Sequence, residues 1–275
     1  ATTEIYTLSL HDALPICQQL GTETEIAWET RAETPMLFMH SQGRLAYYNA
    51  YTDTLAFFTV RNLGRINFRL YDLPADDFMR LNGNNWWEAW DSYSRTGDQP
   101  LATWNRRVTP ELNSNVIYRI DLGQQSGLGD RLPPGLYYLE ASVSSDDIYP
   151  AAYGPEGKYD LTPERKVLVV SNHNLTLKAS NSEALAWLTD LDSGQPVEET
   201  PISFRTDGET IEAETDSGGV ATVQYAGQQD PFNAQFVFAG DPDDPGPDFA
   251  VAVSSSPAGI DRWQYDNAST EDSLA

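Results

Sequence analysis

Apolar and polar residues alternate with a period of two along most of this chain. Over residues 65–71, Ile66, Phe68 and Leu70 fall on one side and Asn67 and Arg69 on the other, the pattern of a half-buried strand. The same alternation sets Val116, Tyr118 and Ile120 against Arg119 and Asp121, and Tyr137, Leu139, Ala141 and Val143 against Glu140 and Ser142. It recurs where Leu175 and Leu177 alternate with Thr176 and Lys178. Further strands are predicted over 184–189, 202–205, 220–225, 234–238 and 249–254. Strands spaced by about 8 to 12 residues, with turn chemistry between them, predict an all-β chain of tandem immunoglobulin-like antiparallel β-sandwiches.

One stretch breaks the period. Over 74–81, Pro74 suits the first position of a helix, Asp76 and Asp77 suit its first turn, and Phe78 and Leu81 share a face. The aromatic-rich NNWWEAWDSY that follows (84–93) reads as an irregular connection packed over the end of a sandwich. Pro133, Pro134 and Gly135 predict a tight reversal before the strand at 136–143. Two hairpin ends are expected at Asp192, Ser193, Gly194 and Pro196, and at Asp216, Ser217, Gly218 and Gly219, where glycine supplies positive φ without steric cost. One strand set ends and another begins near 170–174. Residues 257–275 lose all apolar period after Tyr265 and read as a linker cut short.

Composition narrows the partners. With 17 Lys and Arg against 41 Asp and Glu, the 275-residue chain carries a formal charge of -24, which disfavours nucleic acid and anionic membrane surfaces. No apolar run approaches the roughly 18 residues of a membrane span, so direct membrane insertion is not expected. Residues 1–16, ATTEIYTLSLHDALPI, have neither a basic nor an unbroken apolar region and do not read as a signal peptide. A common short-read sequencing adapter, translated, returns these residues in order. They are therefore set aside as a cloning or assembly scar, and the chain as a fragment of a longer one. Removing Glu4 and Asp12 with the scar leaves the remainder strongly acidic. The single cysteine, Cys17, sits on the junction, so disulfide scaffolds, cysteine zinc sites and thiol catalysis are not expected within the fragment. One thiol does not decide the redox compartment.

Five stretches then carry a resemblance. They are FFTVRNLGRINFRLYDLPADDF (57–78), LPPGLYYLEASV (132–143), KVLVVSNHNLTLKAS (166–180), LTDLDSGQPVEETPISF (188–204) and ETDSGGVATV (214–223). In this order they resemble consecutive macroglobulin domains from the N-terminal half of bacterial alpha-2-macroglobulins, over residues 33–264. The resemblance implies a macroglobulin-like sandwich with a short helical insertion at 33–170, a second at 171–256, and at 17–32 the possible last strand of a preceding domain. It further implies an exported endopeptidase inhibitor at the bacterial cell envelope, periplasmic or extracellular. Such a protein traps target proteases when a bait segment is cut, and some members capture them through a Cys-Gln thioester. No Cys-x-Glu-Gln motif or bait segment occurs here, so the implied role is a non-enzymatic scaffold between neighbouring macroglobulin domains. The alternative is a cell-surface adhesin or carbohydrate-binding array of immunoglobulin-like modules.

The chemistry-bearing residues are few. His40 and His173, the only histidines outside the scar, have no second histidine at a metal-ligand spacing and read as solvated or strand-face side chains. No nucleophile elbow, phosphate loop or dinucleotide fingerprint occurs. Asp241, Asp243, Asp244 and Asp248 could offer oxygen ligands to calcium, but they lack regular ligand spacing and a distal glutamate, and so read as a solvated hairpin tip rather than a calcium loop. Trp86, Trp87 and Trp90 read either as a stacking platform for a sugar or as aromatic cover for a sandwich core. No catalytic, cofactor-binding or metal-binding residue is assigned, and no cofactor is expected.

Overall fold

The computed structural model describes residues 32–254, apart from 42, 154–156, 158, 207, 228 and 230–232. The readings of 1–16, of Cys17, of 17–32 except Ala32, and of 257–275 lie outside the described residues.

Among the described residues, eight strands come before residue 172: β1 (Met36–Met39), β2 (Leu45–Asn49), β3 (Leu55–Arg61), β4 (Arg65–Asp72), β5 (Ala102–Arg107), β6 (Val116–Asp121), β7 (Gly135–Ser142) and β8 (Glu164–Ser171). They form a three-stranded sheet, β1-β3-β6, and a five-stranded sheet, β2-β8-β7-β4-β5. Seven more follow: β9 (His173–Ala179), β10 (Glu183–Asp190), β11 (Pro201–Arg205), β12 (Thr210–Glu214), β13 (Val220–Gln224), β14 (Phe236–Ala239) and β15 (Ala250–Val253). These form the sheets β13-β10-β9 and β12-β11-β14-β15. The all-β sandwich architecture expected from the period-two pattern is present, with one departure. β2 runs parallel to β8, pairing Leu45 with Val167 through Asn49 with Ser171, whereas the other ladders are antiparallel.

Alternation puts every second side chain of a strand into a core. Between the first two sheets lie Phe58, Val60 and Ile120 on one side and Ile66, Phe68, Leu139 and Leu168 on the other. Phe58 meets Phe68 edge-on at 5.4 Å. Ala186, Leu188, Phe204 and Val237 fill the second sandwich.

A third cluster joins the two. The outer face of the five-stranded sheet presents Leu45, Tyr71, Leu136, Tyr138, Val167 and Val169, and the outer face of β14 and β15 presents Phe236, Phe238, Val251 and Val253. Strands β7, β8, β14 and β15 are therefore apolar on both faces over LYYL, VLVV, FVFA and AVAV, which run without polar interruption.

Two helices complete that cluster. α1 (Ala75–Asn82) starts one residue after Pro74, with Asp76 and Asp77 in its first turn and Phe78 and Leu81 buried, as the sequence predicts. Residues 84–93 are not the irregular connection expected over a sandwich end. They form α2 (Trp86–Ser92), which packs with α1 against the sheet face, with Ala89 and Trp90 turned to the shared core. The overlooked signal is the four-residue spacing of Trp86 and Trp90. A third short helix, α3 (Leu122–Ser126), follows β6, capped by Asp121, whose carboxylate accepts from Gln124 N.

The predicted turns form for the stated reasons. Gly194 and Gly219 have φ of 69° and 73°. Asp216 Oδ1 accepts from the Gly218 and Val220 amides. At Gly219 a Cβ would lie 2.4 Å from the Leu188 carbonyl oxygen, so the hairpin can close only on glycine.

Candidate functional site: the junction between the sandwiches

Chain passes from one sandwich to the other at Ser171, Asn172 and His173, and polar contacts gather there. Ser171 Oγ lies 2.6 Å from the Phe249 carbonyl, and Leu191 N donates to the Asn172 carbonyl at 2.9 Å. Tyr51, in the turn after β2, donates its hydroxyl to Asp190 Oδ2 at 2.6 Å, across 139 residues of sequence. Asp190 Oδ1 also accepts from the Ser193 amide and hydroxyl at 2.7 Å each. The Tyr51 bond, with these hairpin donors, holds the Asp190 carboxyl well below the usual carboxylate range. In turn that carboxylate pushes the Tyr51 phenol up to about 12. One side chain thus caps its own hairpin and grips the other sandwich.

The histidines are placed apart. His40 is exposed on the three-stranded sheet, its Nε2 2.6 Å from Thr59 Oγ1 and its ring edge-on to Phe38. His173 sits at the junction with its side chain 9% exposed, its Nε2 3.9 Å from Asp190 Oδ2 and its Nδ1 buried without a hydrogen-bond partner. Each is on its own, and among the described residues no three His, Cys, Asp or Glu side chains converge as a metal site would require. Asp241, Asp243, Asp244 and Asp248 are all exposed on the connection from β14 to β15, where Asp241 Oδ1 accepts from the Asp243 amide.

The tryptophans do not present one flat surface. Trp86 and Trp87 stand edge-on at 84°. The Arg44 guanidinium lies 3.3 Å from the centre of the Trp86 ring and occupies that face. Trp90 packs into the shared core, with Arg165 over its ring at 5.3 Å. Trp87, 48% exposed, is the most open of the three. Burial lowers the Arg44 pKa, and its Nε is buried without a hydrogen-bond partner, so the indole face stands in for water. Among the described residues no helix is long and apolar enough to cross a membrane.

The junction is held by a shared apolar core and a hydrogen-bonded clasp, and among the described residues no metal-binding cluster of His, Cys, Asp or Glu lies there. No protein-family model and no curated protein matches the chain. Solved structures do. An Escherichia coli alpha-2-macroglobulin fragment spanning domains MG0-NIE-MG1 is 13% identical with a TM-score of 0.58, covering 84% of this chain and 68% of that one. A shorter fragment spanning NIE-MG1 is 13% identical with a TM-score of 0.56, covering 81% of this chain and 98% of that one. A Salmonella alpha-2-macroglobulin mutant is 12% identical with a TM-score of 0.56, covering 90% of this chain but only 13% of that one. The chain thus has the fold of the NIE-MG1 region of bacterial alpha-2-macroglobulins, the family that its five sequence stretches resemble.

Proposed function

We propose that this chain is a scaffold portion of a bacterial alpha-2-macroglobulin-like endopeptidase inhibitor. Its first sandwich, with the helices, takes the place of NIE, and its second that of MG1. The observation that carries this reading is the structural match that covers 98% of the NIE-MG1 structure and 81% of this chain. The junction suits the role. A trap that stores conformational energy until a bait is cut needs units that do not yield at rest, and the shared core and the Tyr51–Asp190 clasp hold these two sandwiches as one body.

The chain itself is non-catalytic on this reading. The bait and any thioester belong to segments outside it, and its partners are the neighbouring macroglobulin domains and, through the whole protein, target proteases. The protein is exported and sits at the cell envelope, in the periplasm or outside the cell. The test is to express the uninterrupted gene and mix the product with trypsin. A trap leaves cleavage of a small chromogenic peptide intact while blocking digestion of a large protein substrate, and changes its own mobility on a native gel. Full digestion of the large substrate with no mobility change would refute the proposal.

A further inference from the structure

One face of the first sandwich departs from the charge of the rest. The side of the β1-β3-β6 sheet that points away from its core presents Phe38, Phe57 and Ile117, which are 45%, 41% and 61% exposed. The register brings them together. Phe38 and Ile117 are the partners of Thr59 on its two sides, and Phe57 lies two residues along the same strand. Strand spacing sets Phe38 and Ile117 about 10 Å apart, with Phe57 about 7 Å from Thr59. The Thr59 hydroxyl, at the centre, is already engaged by His40, whose Nε2 lies 2.6 Å away. Open apolar side chains scattered singly need no explanation, but three on neighbouring strands form a patch.

The charges around that patch are inverted. Over the whole chain Asp and Glu outnumber Lys and Arg by 41 to 17. Here the outward positions of the three strands carry Arg61 and Arg119 against one carboxylate, Asp121. Asp121 is engaged in capping α3, and Arg61 is tied to Glu33 at the rim. Arg119, the register partner of Phe57, is exposed and has no carboxylate partner among the described residues.

We infer that this face is the docking surface for a neighbouring domain of the same protein, one whose contact surface is apolar at its centre and acidic at its rim. The inference rests on the reading of this chain as part of a larger inhibitor. Charge complementarity selects the acidic rim: Arg119 lacks a carboxylate within its own chain and takes one from the partner, while the apolar centre covers Phe38, Phe57 and Ile117. A separate acidic protein or an anionic lipid surface would have to approach a chain of formal charge -24. A domain joined through the backbone makes no such approach, because the linkage supplies its effective concentration.

Hydroxyl-radical footprinting read by mass spectrometry tests this on the present chain, on the product of the uninterrupted gene, and on that product carrying Arg119→Glu. Phe38 and Phe57 are expected to be modified about fivefold or more slowly in the whole protein than in the present chain, since the centre of an interface excludes water. Arg119→Glu sets a carboxylate against the acidic rim and is expected to return most of that reactivity. Met39, buried beside Phe38, should stay unmodified in all three and report that the sandwich is intact. Equal modification of Phe38 and Phe57 in the present chain and the whole protein would overturn the inference. Protection that Arg119→Glu leaves unchanged, or that fades on dilution, would overturn it too, since the cover would then not be an acidic domain of the same protein. Trypsin trapping remains a separate readout: a working trap with this face unprotected would sink the docking surface and leave the proposed function standing, and a protected face without trapping would do the reverse.

Discussion

Phe78 is the side chain on which the coupling of the two sandwiches can be tested most sharply. It belongs to α1, in the first half of the chain, yet its fully buried ring meets Phe236 and Phe238 of β14 edge-on, each at 6.1 Å. Truncation of a buried phenylalanine to alanine costs about 3–5 kcal/mol, the upper part where the surroundings cannot collapse into the cavity. Here the ring is enclosed by a helix and two sheet faces, all held by their own ladders, so the upper half of that range is expected for Phe78→Ala. For a folded unit of this size each kcal/mol lowers Tm by about 2–4 °C, which gives a fall of roughly 8–20 °C. Scanning calorimetry should show one cooperative transition for the unaltered chain. Phe78→Ala should split it, because the lost contacts are those between the sandwiches. Phe58→Ala, a fully buried ring inside the first sandwich alone, is the control. It should destabilise by a similar amount without separating the sandwiches to the same degree. Two independent transitions in the unaltered chain, or a Phe78→Ala cost under about 1 kcal/mol, would refute the shared core as a stabilising element.

The other expectations concern single contacts. Gly219→Ala forces a side chain into a left-handed backbone, 2.4 Å from the Leu188 carbonyl, and should cost at least about 1–3 kcal/mol by denaturant unfolding, whereas Gly97→Ala, with open space around it, should cost less. The Tyr51 phenol, raised to about 12, favours the folded state below the unfolded value of about 10, and this contribution should disappear as pH rises toward 12. The Asp190 carboxyl, depressed in the folded chain, contributes above the ordinary carboxylate range and loses its contribution as pH falls below it. Stability–pH curves of Tyr51→Phe and Asp190→Asn should be flatter at the alkaline and acid ends respectively, and curves superimposable on the parent would remove the clasp. Arg44→Ala should cost about 0.5–1 kcal/mol and change the tryptophan emission, since the guanidinium covers Trp86.

The strands, the proline-led helix and the glycine turns were legible because each depends on local chemistry. Period two identifies a strand wherever it lies, Pro74 with two aspartates starts a helix, and Gly219 is required by its own φ. The apolar runs VLVV and FVFA carry a further local signal, burial on both faces, that the period-two reading did not use. What they could not show is against what. The meeting of Phe78 with Phe236 and Phe238, the parallel pairing of β2 with β8 and the grip of Tyr51 on Asp190 join residues far apart in the chain. Burial is non-directional and satisfied by any apolar face of the right shape, so the sequence determined which residues must be buried, and only the tertiary structure decided which of them meet.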